Sequence, residues 1–138
     1  MKKGFTLVEL LVVIAIIALL STLSVVALNS ARTKARDARR LSDIRQIRTA
    51  LEMYFDSSST YPATCNALGS ATNCMCLTSN GWKDINCSGG GTIFMQKVPK
   101  DPGTYSYDYT VDVNGTSYTI TYKLDNGTAQ TATPYSMN

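Results

Sequence analysis

Residues 1–28 read MKKGFTLVELLVVIAIIALLSTLSVVAL, and this stretch decides the architecture. Between residues 5 and 28 there is one ionisable side chain, Glu9, and residues 10–20 are apolar without interruption. As a helix the 24 residues from 5 to 28 would measure about 36 Å, enough to cross a hydrocarbon core of about 30 Å. A cleavable secretory signal is the competing reading. It would have a shorter apolar stretch and a small-x-small site, and Ala27-Leu28-Asn29 and Asn29-Ser30-Ala31 match that poorly. A retained helix is favoured. Glu9 then costs about 2–4 kcal/mol unless it finds a cationic partner: Lys2 and Lys3 are the only basic residues near it, and a free amine made by cutting the chain just before Phe5 would be another.

The helix continues beyond the apolar run. No glycine or proline occurs between Phe5 and Pro62. Apolar or small residues recur in steps of three and four at Ala31, Ala35, Ala38, Leu41, Ile44, Ile47, Leu51, Tyr54 and Phe55. One helix is expected from about residue 5 to 56. The seven basic residues from Arg32 to Arg48, interspersed with Asp37 and Asp43, read as a solvated face or as partners for acidic surfaces of other copies. Nucleic-acid binding is disfavoured, because no aromatic side chains interleave with them.

Residues 57–138 hold all four prolines, all four cysteines and eight of the nine glycines. Residues 63–92 are expected to be a long irregular loop, which needs a staple. Beyond a membrane, in an oxidising space, Cys65, Cys74, Cys76 and Cys87 would supply two disulfides. Cys74 with Cys76 would be badly strained. That leaves Cys65–Cys74 with Cys76–Cys87, or Cys65–Cys76 with Cys74–Cys87. The spacing C-x8-C-x-C-x10-C lacks the pairs of a four-cysteine zinc site. Over residues 104–131, Tyr105, Tyr107, Tyr109, Val111 and Val113 alternate with polar residues. After Asn114-Gly115, Tyr118, Ile120, Tyr122 and Leu124 alternate again, and Asn126-Gly127 makes a second turn. An antiparallel meander follows, one face of it packed on the Leu41–Phe55 side of the helix. The fold class is α+β.

Charge and composition narrow the function. The net charge of +3 divides into nine basic and three acidic side chains in residues 1–48, against four and seven in the rest. The chain has no histidine. It therefore lacks the commonest general base and the commonest metal ligand, and it has no glycine-rich phosphate loop. No catalytic residue, metal site or cofactor is expected.

The run Lys2-Lys3-Gly4-Phe5-Thr6-Leu7-Val8-Glu9-Leu10, followed by the apolar stretch, resembles the processing site of type IV pilins and type II secretion pseudopilins. The resemblance implies a four-residue leader (residues 1–4), cut after Gly4 by a prepilin peptidase, and N-methylation of Phe5. It implies that Glu9 neutralises the amine of a neighbouring subunit during assembly. It further implies a pilin fold with residues 5–28 in membrane or filament core, residues 29–56 as an amphipathic half-helix, and residues 57–138 as a head. The implied partners are other copies of the chain, the cytoplasmic membrane before assembly, an assembly ATPase and a membrane platform protein. The implied topology puts Lys2 and Lys3 in the cytoplasm, whereas the basic residues after Ala31 would by themselves favour the opposite orientation.

A second pattern sharpens the resemblance. Asp43-Ile44, Ile47, Ala50-Leu51, Tyr54, Asp56 and Tyr61-Pro62, then Val98-Pro99-Lys100-Asp101-Pro102, resemble the major pseudopilins of type II secretion and related short pilins. Those pseudopilins bind calcium through clustered aspartates in a C-terminal loop. Here Asp108, Asp112 and Asp125 are scattered, so that site is not expected. Many type IV pilins have a proline in the apolar half of the helix. This chain has none, and an unbroken helix is expected. The function expected is that of a filament-forming structural subunit. A secretion pseudopilin, a competence-type pilin and, from another class, a membrane-anchored binding module are the alternatives.

Overall fold

The computed structural model describes residues 4–72 and 74–136. Lys2 and Lys3, the charged part of the expected leader, lie outside the described residues. A single helix, α1, runs over Leu7–Ser58. It ends two residues later than the serine-rich run suggested. Ser59 takes a left-handed conformation (φ 57°), and its N–H donates to the Phe55 carbonyl at 2.7 Å, which closes the last turn.

The chain divides into two compact units, one through Ala35 and one from Arg36 onward. The first is helical, and every apolar residue among its described residues is exposed. Its hydroxyls are satisfied locally: Ser21, Thr22 and Ser24 donate to the carbonyls of Ile17, Leu19 and Leu20 at 2.7–2.9 Å. Bonded in this way, these three hydroxyls ask nothing of apolar surroundings.

The second unit contains the rest of α1 and two antiparallel sheets. Strands β1 (Cys65–Leu68), β5 (Tyr107–Val111), β6 (Tyr118–Lys123) and β7 (Ala129–Ala132) form one sheet in the order β1-β5-β6-β7. Strands β2 (Cys76–Thr78), β3 (Gly81–Lys83) and β4 (Ile93–Met95) form the other in the order β3-β2-β4. The expected meander is β5-β6-β7, with Val111 opposite Tyr118 and Tyr109 opposite Ile120. Val113 is fully exposed in the turn, outside the strand that the alternation assigned it to.

Residues 63–92 differ from the irregular loop expected. They contain β1, which extends the meander, and the β2–β3 hairpin turning at Ser79-Asn80. Strands of three or four residues are too short to show a period of two, so pairing and not patterning defines them. The disulfides are Cys65–Cys74 and Cys76–Cys87, one of the two connectivities left open by the sequence.

The core of this unit lies between the helix face Ile44, Ile47, Ala50 and Leu51 and the tyrosines of β5 and β6. Tyr61 meets Tyr118 edge to face at 4.7 Å, and Trp82 meets Tyr109 in the same manner at 5.3 Å. The phenols are satisfied as well as buried: Tyr109 donates to the Pro62 carbonyl at 2.8 Å, and Tyr107 to Asp43 at 3.0 Å. Burial pushes the Tyr118 hydroxyl up to about 12, so the cluster stays neutral at physiological pH. Ala31, Ala35 and Ala38, read as part of the packed face, are exposed; burial in the helix begins at Arg40.

Candidate assembly site at the start of the helix

The residues singled out by the sequence sit at the first turn of α1. Thr6 precedes the helix and Glu9 stands three residues on, the spacing of a capping box. The Thr6 N–H and hydroxyl both donate to Glu9 Oε2 at 2.8 Å, and the Glu9 N–H donates to Thr6 Oγ1 at 3.3 Å. Glu9 is thus held by its own chain in the isolated subunit, with its carboxylate turned back toward the helix start. The role of Thr6 as its partner was not read from the sequence, although the T-x-x-E spacing signals it. Gly4 and Phe5 precede the helix, and Phe5 is 86 % exposed.

Around this site lies a surface that water cannot cover cheaply. Sixteen large apolar side chains from Phe5 to Leu28 are each at least 48 % exposed. At about 1.5–3 kcal/mol for each one fully buried, covering them is worth tens of kcal/mol. By length and composition α1 can cross a membrane. Its apolar half can also pack against copies of itself, because it carries no unsatisfied hydroxyl.

The second unit holds a feature that the sequence reading misplaced. Arg40, assigned to the solvated face, is fully buried. Its Nε and Nη2 donate to the two oxygens of Asp101 at 2.6 and 3.2 Å, and its Nη1 to Asp37 at 2.7 Å and Asp125 at 2.6 Å. Arg36 also pairs with Asp125. Arg40 falls on the same stripe as Ile44, Ile47 and Leu51, and that spacing could have placed it inside. The site also accounts for Gly103: a Cβ there would come within 2.8 Å of Arg40 Nη2.

The aspartates of the C-terminal part each accept hydrogen bonds from their own chain and lie on different elements, which bears on calcium. Asp125 is held by two guanidinium groups. Asp112 accepts the N–H groups of Thr116 and Ser117 at 2.7 and 3.0 Å, and Asp108 accepts that of Ala67 at 3.1 Å. Among the described residues no acidic or cysteine cluster is placed to hold a metal ion. The donors do not fit calcium.

A pH dependence follows. The Arg36 and Arg40 hydrogen bonds hold Asp125 down at about 2. Burial pushes Asp101 up, but the Arg40 guanidinium and the Gly103 N–H outweigh it, so it too lies below its ordinary value. Carboxylates depressed in the folded state stabilise it fully above about pH 4 and lose that contribution as pH falls through their folded values. Asp43, raised by burial, works in the opposite sense, since its ionised form costs stability that acid recovers. Thermal melts should stay nearly level from pH 7 to about 5 and fall between about pH 4 and 2.

Comparison with known families matches two successive parts of the chain. Residues 1–25 match the prokaryotic N-terminal methylation motif, and residues 27–133 match type II secretion system (T2SS) protein G. Comparisons with curated proteins and with solved structures gave no match. Long apolar helix, antiparallel sheets and both family matches agree: the chain has an α+β pilin fold and belongs to the type IV pilin and major pseudopilin family, a family of structural subunits.

Proposed function

We propose that this chain is the structural subunit of a type IV pilus-like filament, made with residues 1–4 as a leader, cut after Gly4, N-methylated on Phe5, and polymerised through residues 5–28. The exposed apolar half-helix, with Glu9 as its one charge, carries this reading. Such a surface is stored in the cytoplasmic membrane and moves from lipid to like helices on assembly. The exchange becomes selective through charge. An ammonium at Phe5 and a carboxylate at Glu9 are each costly in an apolar medium, and pairing them between neighbouring copies relieves both costs. A neighbour seated at the wrong step leaves both unpaired, so Glu9 sets the register. Residues 29–56 then connect this half to a disulfide-bonded head, residues 57–138. A prepilin peptidase, an assembly ATPase and a membrane platform protein complete the pathway.

A role as a secretion pseudopilin is the second reading, favoured by the match over residues 27–133. The processing is common to both. Intact-mass measurement of the chain from a host with its peptidase should give a species beginning at methylated Phe5. That species should be four protons lighter than after reduction, because all four cysteines are paired. A chain beginning near Ala31 would restore the signal peptide, and one retaining residues 1–4 would point to an unprocessed anchor.

A further inference from the structure

Within the second unit, a cleft of about 610 Å³ opens where residues 100–106 face β6. That volume is in the range of small-ligand sites, about 300–1,000 Å³, but the lining is polar where most such sites are apolar. Lys100 and Lys123 line it, and neither makes an ion pair among the described residues. Residues 49–138 carry only four basic side chains against seven acidic ones, and two of the four line this cleft. Thr104, Thr121 and Asp108 are also among the lining residues. Asp108 is fixed by the Ala67 N–H at 3.1 Å and the Ser106 hydroxyl at 3.2 Å, both to Oδ1, and Oδ2 remains available.

One wall is held in place before any ligand arrives. Asp101 is bound to buried Arg40, and the Gly103 N–H donates to Asp101 at 2.7 Å. The Tyr105 ring has the Arg40 guanidinium 5.8 Å and the Lys123 ammonium 5.7 Å from its centroid. A preorganised wall lowers the cost of binding.

We propose that this cleft binds an acidic oligosaccharide, with a sugar carboxylate held by Lys100 and Lys123 and sugar hydroxyls bonded by Asp108 and the neighbouring threonines. The mixture of charges selects the ligand class. Two ammonium groups ask for an anion, while a fixed carboxylate among hydroxyls asks for a donor beside it, and a uronic acid sugar offers both. Nucleic acid is a poorer fit: it gains affinity from many phosphate contacts, and Asp108 would repel its backbone.

The test is calorimetric titration of the full-length chain in detergent micelles with trigalacturonate, its neutral galactose counterpart and a short DNA duplex. Saturable binding of trigalacturonate alone is expected, weakened by salt and by about tenfold or more in Lys100→Gln/Lys123→Gln. Lys97→Gln, outside the cleft, should bind as the parent does. Lys100→Gln alone, whose ammonium has no partner to lose, should weaken binding with an unchanged melting transition. Equal binding of the neutral sugar, tighter binding of DNA through the same lysines, no saturation at millimolar trigalacturonate, or indifference to the double substitution would each overturn the proposal.

Discussion

Glu9→Ala is expected to leave cleavage after Gly4 largely intact and to reduce assembled filament by about a hundredfold or more. On the proposed assembly route, each incoming Phe5 ammonium would then enter an apolar surrounding unpaired. The penalty is several kcal/mol, and each 1.4 kcal/mol is a factor of ten. The capping box complicates that substitution, because Glu9 also closes the first helical turn through Thr6. A missing cap costs about 0.5–2 kcal/mol by itself. Glu9→Gln separates the two contributions. Glutamine fits the third position of a capping box but carries no charge. If charge pairing drives assembly, the glutamine variant fails as alanine does. If helix capping were the role, it would assemble as the parent does. Quantifying sheared filaments and processed subunit in both variants decides the matter.

Arg40→Met is expected to destabilise the second unit by about 3–5 kcal/mol, the usual penalty for leaving one side of a buried ion pair uncompensated. The Asp101 side chain is fully buried beside it, and Asp125 is partly buried. At about 4–8 °C per kcal/mol for a domain of this size, the melting transition should fall by well over about 10 °C. Adding Asp101→Asn to Arg40→Met should recover part of the loss, because it removes the carboxylate with no remaining charged partner. Non-additivity of this kind is the signature of a direct pair. Melting within about 1 °C of the parent for Arg40→Met would show that the network contributes nothing net. Circular dichroism of the full chain in detergent measures both variants.

The sequence made the first unit legible because its signals are local. A run of apolar residues and an absent proline act within one helix, while the Thr6–Glu9 capping box, equally local, was passed over. The meander was equally open to reading, since β5 and β6 alternate over five or six residues and end at Asn-Gly turns. What escaped depends on partners far along the chain. Nothing near β2 announces that Leu77 pairs with both Trp82 and Met95. Arg40 looked solvent-facing by residue type, and only its acceptors 61 and 85 positions away make its burial affordable. Asp101 lies within Val98-Pro99-Lys100-Asp101-Pro102, and its purpose is set by the Arg40 guanidinium, 61 positions earlier in the chain.

On the proposed function, copies of this chain polymerise through residues 5–28 with Glu9 facing a neighbour's amine. Electron cryomicroscopy of filaments sheared from cells tests it most directly. The expected map has the apolar half-helices in the filament core and the Phe5 nitrogen of one copy within about 4 Å of Glu9 of another. A core built from the sheet-bearing unit, or a Glu9 facing solvent with no amine beside it, would contradict the account.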